Sequence, residues 1–260
     1  MYLGQNKRYK FFSEEINHCP QLKLQRIADG CKKVEDAVWN AHEDFFSYLK
    51  KQSAVFYAKY GDQIVAFALF DLYIQDETLV VAANECMVLP EHQGFKLPNI
   101  FSSILTTHFR RDSRFRKLRR KFHSVTFVST TVNYKMMEAF RRYSYLANKS
   151  SFKPDMEILE VADQYRRKEN LELLNDDNSF FIKGAFPNSS KNPPALRAPS
   201  YVPKDFDLGR GDCFLFVCRI HRFWLLGFIA KITRWQQGFR FSKRIIPIAR
   251  MYREHTIYTR

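Results

Sequence analysis

Apolar and polar positions follow both helical and strand-like patterns along the first half of the chain. From Val34 to Leu49 the apolar residues recur at helical spacing, which predicts an amphipathic helix. The segments SAVFYAKY and QIVAFALFDLY are rich in β-branched and aromatic residues and meet at Gly61-Asp62, so they predict two antiparallel strands. The run ETLVVAANECMVLP predicts a third long strand ending at Pro90, because proline cannot donate a ladder hydrogen bond.

A loop and three further elements follow this third strand. The next apolar pattern predicts a helix, with Ile100, Ile104, Leu105 and Phe109 on one side. The segment FHSVTFVST then predicts a strand, and VNYKMMEAFRRYSYL predicts another helix. This order of elements is typical of an α/β (α+β) fold and predicts one coherent domain over residues 1–153.

The C-terminal part, residues 154–260, has a looser pattern. The segment PDMEILEVADQYRRKENLELL predicts a charged helix, SFFIKGAF predicts a strand, and Pro187 to Gly211 reads as a loop rich in proline, serine and asparagine. The segment DCFLFVCRIHRFWLLGFIAKITRW fits a strand followed by a helix, and it also fits one basic amphipathic helix. Periodicity does not separate these two alternatives.

Composition changes the picture mainly through charge. The 260 residues are 45% hydrophobic, which is enough for a substantial core. The formal net charge of +15 makes this a basic protein and favours polyanionic partners such as nucleic acid, anionic lipid, CoA phosphates or an acidic carrier protein. The alternative is charge that serves solubility alone.

Cysteine usage and hydropathy bear on the compartment. The 5 cysteines include no CxxC pair and no Cys/His set at zinc spacing, so neither a disulfide framework nor a metal site is predicted. The N-terminus lacks the apolar stretch of a signal peptide, and the most apolar later segment, Phe214 to Ile232, contains Arg219, Arg222 and Lys231. We therefore expect a cytoplasmic protein without a membrane span.

The segment VLPEHQGFKLPN, which follows the third strand and opens a helix, resembles the acyl-CoA-binding loop of the GNAT superfamily of N-acyltransferases. The family pattern is Val-x-Pro followed by Arg/Gln-x-x-Gly-x-Gly/Ala. Val88, Pro90 and Gln93 fit this pattern, whereas Lys96 and Pro98 occupy positions where the family usually has a small residue.

The resemblance extends to a later helix, which in the family opens with asparagine and contains Tyr-x-x-x-Gly-Phe. Here Asn133 opens the helix, Phe140 stands at the tyrosine position, and Ser144-Tyr145 replace Gly-Phe. The resemblance covers roughly residues 22–149. It implies a GNAT-like mixed, mostly antiparallel sheet flanked by helices, here with a C-terminal extension.

The resemblance also implies a co-substrate and a reaction. Acetyl-CoA or another acyl-CoA would supply the acyl group, and an amine acceptor would attack the thioester directly. The pyrophosphate would lie at the helix start, where glycine permits close approach and main-chain N–H groups bind anions. The residues expected to bind the donor are Met87, Val88, Gln93, Gly94, Phe95, Lys96, Leu97 and Asn133.

Two residues are candidates for proton transfer. Glu85 is an acid in an apolar strand, where burial would raise its pKa toward neutrality and suit it to act as the general base; a core hydrogen bond or salt bridge is the alternative role. Period-two alternation places Glu85 on one face with Ala83 and Met87. Tyr143 is the candidate acid because it shares a helical side with Phe140, and the alternative is an ordinary core or surface tyrosine.

Two basic regions leave the function open. The stretch RRDSRFRKLRRK, residues 110–121, could bind the donor's 3′-phosphate, an acidic acyl-carrier protein or nucleic acid, or could be a solvated face. The aromatic and basic residues after Phe214 fit an acceptor or acyl-chain pocket, peripheral contact with an anionic membrane, or an ordinary core. An acyl-CoA-dependent N-acyltransferase, a carrier-protein-dependent one and a non-catalytic GNAT-fold module that binds nucleic acid or protein are therefore the candidate functions.

Overall fold

The computed structural model describes residues 2–38, 44–75, 78–111, 125–144, 149–176, 178–186, 198–220, 231, 236 and 238–241. The chain forms two compact units. The first unit contains β1 (Tyr2–Gln5), β2 (Lys10–Glu15), β3 (Ala54–Tyr60), β4 (Gln63–Gln75), β5 (Thr78–Val88), β11 (Arg240–Phe241), α1 (Gln21–Val38), α2 (Phe45–Lys50) and α3 (Leu97–Arg111). The second unit contains β6 (Val125–Thr131), β7 (Lys149–Ser150), β8 (Glu172–Leu173), β9 (Phe181–Lys183), β10 (Cys213–Ile220), α4 (Tyr134–Ser144) and α5 (Met156–Lys168). The boundary predicted after residue 153 falls inside the second unit.

The strands of the first unit form a sheet in the order β11-β1-β2-β3-β4-β5. Each neighbouring pair is antiparallel. The predicted hairpin is confirmed as β3 and β4, and Gly61 at its turn has a φ of +59°, a conformation that glycine adopts without steric cost. The third predicted strand is confirmed as β5.

Helices cover both faces of this sheet. Phe11 of β2 packs edge-on against Phe101 of α3, with ring centroids 5.9 Å apart. Phe67 of β4 lies on the opposite face, where its ring contacts Phe45 of α2 at 5.5 Å. Helix α1 contacts α2, β4 and β5, so it belongs to the same layer as α2.

The helix predicted from Val34 to Leu49 is wrong in its bounds. Helix α1 begins at Gln21, and α2 is a separate short helix that begins after Asp44. The Asp44 side chain accepts a hydrogen bond from the N–H of Ser47 at 3.0 Å, which is an N-cap and therefore a helix start. Residues 39–43 lie outside the described residues.

Strands β1 and β2 were not predicted from the sequence. They are short and contain many polar residues, but they pair with each other, and β2 pairs with β3 along its full length. Their apolar residues Leu3 and Phe11 are fully buried. Pairing with β3 and packing of Phe11 against α3 therefore stabilise strands that the short pattern leaves ambiguous.

The strands of the second unit also pair antiparallel. Strand β10 pairs with β6 over seven registered positions, and it also pairs with β7 and β9. The predicted strands at 122–130 and 179–186 are confirmed as β6 and β9, and the predicted helix at 132–146 is confirmed as α4. The helix predicted at 154–174 is confirmed as α5 but ends at Lys168, and its last residues are wrong because Glu172–Leu173 form β8, which pairs with β9. For the segment that begins at residue 212, the strand of the first alternative is confirmed as β10, while residues 221–230 lie outside the described part.

Aromatic residues form the core of the second unit. Phe140 of α4 stacks on Phe216 of β10 with centroids 4.3 Å apart and an interplanar angle of 4°. Phe214 and Phe216 are both buried, and Arg219 forms an ion pair with Glu157 of α5. Phe214 and Phe216 are therefore ordinary core residues, and Arg219 is a paired surface charge.

The predicted fold class, a mixed, mostly antiparallel sheet flanked by helices, is confirmed. In the part of the chain that the structure covers, none of the helices has the length and apolar character needed to cross a bilayer. Among those same residues, no group of three or more His, Cys, Asp or Glu side chains is placed to hold a metal ion.

Candidate functional site

The loop between β5 and α3, residues 89–96, begins with a single turn of 3-10 helix over Pro90–His92. The turn is closed by two main-chain hydrogen bonds, from His92 N–H to the oxygen of Leu89 at 2.9 Å and from Gln93 N–H to the oxygen of Pro90 at 3.2 Å. The Gln93 side chain is exposed, and its Nε2 donates to the carbonyl of Val88 at 3.3 Å. The loop is thus tied back to the end of the strand.

The second half of this loop has an unusual backbone. Gly94 and Lys96 both have positive φ, +85° and +56°. The carbonyl of Lys96 accepts the first hydrogen bond of α3, from Ile100 N–H at 3.2 Å. Left-handed backbone is uncommon for lysine, so the surrounding structure must hold this conformation.

The loop leaves a row of main-chain donors without main-chain acceptors. The N–H groups of residues 94–97 donate to no other main-chain group among the described residues. They lie at the start of a 15-residue helix, whose partial positive charge favours an anion. A Cβ built on Gly94 meets nothing within 4 Å, so the space beside it is open.

The side chains of the predicted donor-binding residues differ in exposure. Gln93, Gly94 and Lys96 are exposed, Val88 and Phe95 are half-buried, and Met87 and Leu97 are buried. Any contact of Leu97 with a ligand must therefore come from its main chain. Met87 pairs with Phe67, and Val88 with Ala66, at the end of β5 directly before the loop.

The loop is supported from the turn between β1 and β2, residues 6–9. Tyr9 is buried, and its hydroxyl forms a hydrogen bond with Nδ1 of His92 at 3.0 Å. The Tyr9 ring also contacts the rings of His92 at 5.6 Å and Phe95 at 5.8 Å. The guanidinium of Arg8 lies 4.6 Å from the centroid of Phe95. The β1–β2 turn, which is distant in sequence, therefore helps to fix the loop.

Glu85 lies on β5 three residues before the end of the strand and is buried, with 8% of its surface exposed. Burial raises the pKa of the Glu85 carboxyl well above its ordinary value; nearby Glu35 raises it further, and Lys32 opposes this shift. The direction of the shift is the one expected from the sequence. Glu35 is fully buried on α1, where the ammonium of Lys32 lies 3.0 Å from its carboxylate.

The predicted alternation along β5 is wrong at one position. Glu85 pairs with Leu69, but Ala83 pairs with Phe70, so Asn84 is the extra residue of a β-bulge. Because Leu69 and Phe70 alternate on β4, Ala83 and Glu85 lie on opposite faces. The side chain of Asn84 donates a hydrogen bond from Nδ2 to Oε1 of Gln52 at 2.6 Å, which holds the bulge.

Asn133, Phe140 and Tyr143 belong to the second unit. Asn133 caps α4, because its Oδ1 accepts a hydrogen bond from Lys135 N–H at 2.9 Å. Tyr143 lies in α4, but its side chain is outside the described residues. Phe140 is committed to the core by its stack on Phe216. The basic residues 112–121 and the side chains of Arg110 and Arg111 also lie outside the part described.

Sequence reasoning missed the groups that hold the candidate site from behind. His92 stands inside the recognised loop segment, so its position gave a signal that was not used. Tyr9 and the buried Glu35 gave none, because their partners are remote in the chain: the Tyr9–His92 hydrogen bond spans 83 residues.

Comparison with known proteins gives structural matches alone. No family model matches the sequence, and no curated protein sequence is significantly similar to it. Arabidopsis thaliana Naa50, solved with the bisubstrate analogue CoA-Ac-MVNAL, is 10% identical, with 80% of this chain and 97% of that chain covered and a TM-score of 0.36. The ribosomal-protein-S18-alanine N-acetyltransferase of Escherichia coli is 8% identical, with 81% and 94% covered and a TM-score of 0.40.

A third solved structure is a GNAT family acetyltransferase from Elizabethkingia anophelis with acetyl-CoA bound. It is 14% identical, with 82% of this chain and 98% of that chain covered, at a TM-score of 0.31. The second and third of these proteins are acetyltransferases by name. With TM-scores below 0.5, these likenesses carry no argument about activity or about individual residues.

Proposed function

We propose that this chain is an acyltransferase of the GNAT superfamily that transfers an acyl group from acyl-CoA to an amine. The observation that carries the proposal is the β5–α3 loop. Gly94 and Lys96 are both left-handed, the N–H groups of residues 94–97 donate to no main-chain acceptor among the described residues, and the space beside Gly94 is open. A row of such N–H groups at a helix N-terminus can bind phosphate oxygens, and CoA carries a pyrophosphate.

The departures from the family motif are compatible with this role. Pro98 lacks an N–H, but it occupies the first turn of α3, where proline is tolerated and several N–H groups have no intrahelical acceptor. Lys96 replaces a small residue, but it adopts a positive φ and its side chain is exposed. The side chain therefore adds a positive charge beside the main-chain row.

The proposed chemistry uses β5. The amine nitrogen attacks the thioester carbonyl, the C–N bond forms and the C–S bond breaks. The carboxylate of Glu85 accepts the proton of the amine, and the CoA thiolate leaves and is protonated by an acid, for which Tyr143 is the proposed group. Main-chain N–H groups near Met87 and Val88 stabilise the negative charge on the carbonyl oxygen during the attack.

The bulge at Asn84 and the burial of Glu85 support this part of the proposal. Bulges are enriched next to active sites, where they re-aim a side chain. A buried carboxyl with a raised pKa retains a proton at a higher pH than usual, so its ionised form is a stronger base. The rate should therefore rise with pH as Glu85 ionises.

Calorimetry with the full chain tests the proposal. We expect CoA to bind at micromolar concentration and to raise the Tm, because a ligand that binds the folded state stabilises it. Stabilisation by an acidic acyl-carrier protein without CoA binding would favour a carrier-protein donor. Stabilisation by neither would exclude acyl transfer from both donors and leave the non-catalytic binding module.

A further inference from the structure

The turn between β1 and β2 brings a cation to the candidate donor loop. Asn6 fixes this turn, because its Oδ1 accepts hydrogen bonds from the N–H groups of Arg8 at 2.9 Å and Tyr9 at 2.8 Å. The N–H of Asn6 in turn donates to the carbonyl of Tyr9 at 3.0 Å. The position of Arg8 therefore follows from a closed hydrogen-bonded turn.

The neighbouring Tyr9 connects this turn to the loop. Its hydroxyl bonds to His92, and its ring contacts Phe95, so the turn and the loop form one packed cluster. Tyr60 of β3 completes the cluster with ring contacts to Tyr9 at 6.0 Å and to His92 at 5.3 Å. A displacement of the loop relative to the turn would break the contacts of Tyr9 with His92 and Phe95.

Arg8 is exposed, and its guanidinium is held over the ring of Phe95, the residue between the two left-handed positions. Within the described residues Arg8 takes part in no salt bridge. The guanidinium also lies within hydrogen-bond reach of the Tyr9 side chain, which fixes it further beside the loop. Its remaining N–H groups can bind an anion, and its planar fork suits a phosphate. A fixed cation thus lies beside the proposed pyrophosphate site.

We infer that Arg8 is a specificity-determining residue of the donor site, where it pairs with the ribose 3′-phosphate of CoA. The inference rests on the proposed function. The main-chain N–H groups of residues 94–97 account for the pyrophosphate, but CoA carries a third phosphate. This group is a monoester with nearly two negative charges at neutral pH, and arginine binds such a group through two parallel hydrogen bonds.

Binding of CoA and of dephospho-CoA, which lacks the 3′-phosphate, tests this assignment by calorimetry on the full chain. We expect the parent to bind CoA about fivefold or more tightly than dephospho-CoA, as an exposed but preorganised ion pair allows. Arg8→Gln should bring this ratio close to one through weaker CoA binding, while its affinity for dephospho-CoA is unchanged. Arg8→Lys should keep part of the preference, because it retains the charge and loses the planar fork.

Lys7→Gln is the matched control. It removes the same charge from the same turn, and Lys7 is exposed. It should keep the full preference for CoA, which separates direct pairing from the general positive field. Tm values of the three variants equal to the Tm of the parent would show that the turn remains folded.

The outcomes separate the two claims. If the parent prefers CoA and Arg8→Gln keeps that preference, the assignment of Arg8 is refuted while the proposed function stands. Loss of the preference in Lys7→Gln as well would also refute direct pairing. If the parent binds neither CoA nor dephospho-CoA, the proposed function fails, and the inference fails with it.

Discussion

Replacement of Gly94 by glutamate tests the phosphate site most directly. The substitution places a carboxylate in the open space beside the N–H groups of residues 94–97. At about 5 Å from one phosphate charge and an effective dielectric constant of about 20, the repulsion is about 3 kcal/mol. This corresponds to a loss of about two orders of magnitude in CoA affinity.

The same substitution has a limited effect on folding. No neighbour lies within 4 Å of the new Cβ, so its cost comes from the φ of +85°. A left-handed residue with a side chain costs about 1–2 kcal/mol. For a chain of this size, the Tm should fall by about 2–8 °C.

Gly61 provides a matched control for this strain. It has a φ of +59°, and its Cβ would also meet nothing within 4 Å, but it lies in the β3–β4 turn. Gly61→Glu should lower the Tm by a similar amount and reduce CoA affinity less than Gly94→Glu does, because its carboxylate does not lie beside the N–H groups of residues 94–97. Gly94→Gln supplies the second control, because it adds bulk without charge.

The assay is calorimetric titration of CoA into each variant, with the Tm measured on the same preparations. Gly94→Glu that remains folded and binds CoA as tightly as Gly61→Glu would refute the placement of the pyrophosphate at this loop. Equal losses in Gly94→Glu and Gly94→Gln would assign the effect to bulk rather than charge.

Three further predictions address catalysis, stability and the donor. Glu85→Gln should lower single-turnover rates by about 10²- to 10⁴-fold with unchanged CoA affinity, and a normal rate would remove Glu85 from the site. Because burial raises the Glu85 pKa, the parent loses stability as pH rises through that pKa, so in urea titrations the variant should be the more stable protein above that pKa. Asp212→Ala should lower the free energy of unfolding in urea by about 2–3 kcal/mol, because this fully buried carboxylate accepts hydrogen bonds from Arg210 and two N–H groups. Burial raises the Asp212 pKa, but these hydrogen bonds lower it overall, so the contribution is present at neutral pH and lost as pH falls through the lowered pKa. If the parent and the variant lose stability equally in acid, this role of Asp212 is contradicted. Reversal of Arg116, Arg119 and Arg120 to glutamate should weaken binding of an acidic carrier protein and flatten its salt dependence in titrations at two ionic strengths, whereas parent binding that is insensitive to salt would exclude that contact.

The elements of the fold could be predicted where a local pattern has one interpretation. The hairpin of β3 and β4 follows from two β-rich runs on either side of Gly61, and β5 follows from a long apolar run before Pro90. The start of α1 was missed although it leaves a local signal, because its buried residues Leu24, Ile27, Ala28, Cys31 and Val34 recur at helical spacing. The burial of Glu35 beside them could not be predicted, because it depends on contacts of α1 with the sheet.

The sequence indicated the loop of the candidate site, but it did not indicate which distant residues pack around that loop. The order of residues from Val88 to Leu97 indicated the loop, because phosphate binding by main-chain N–H groups leaves a local signature. The contact of Tyr9 with His92 and the approach of Glu35 to Glu85 depend on the topology of the sheet. The roles of Glu85, Tyr143 and the donor-binding residues stay predictions.

The bulge at Asn84 makes the side on which Glu85 lies depend on chain length rather than on residue type. Deletion of this one residue would restore strict alternation and carry either Glu85 or the stretch before it to the other side of the sheet. Substitutions at the same position would leave the number of residues in β5 unchanged. A survey of substitutions alone would report only the loss of the Asn84–Gln52 hydrogen bond, whereas insertions and deletions in β5 would reveal a position where one residue decides the side on which Glu85 lies.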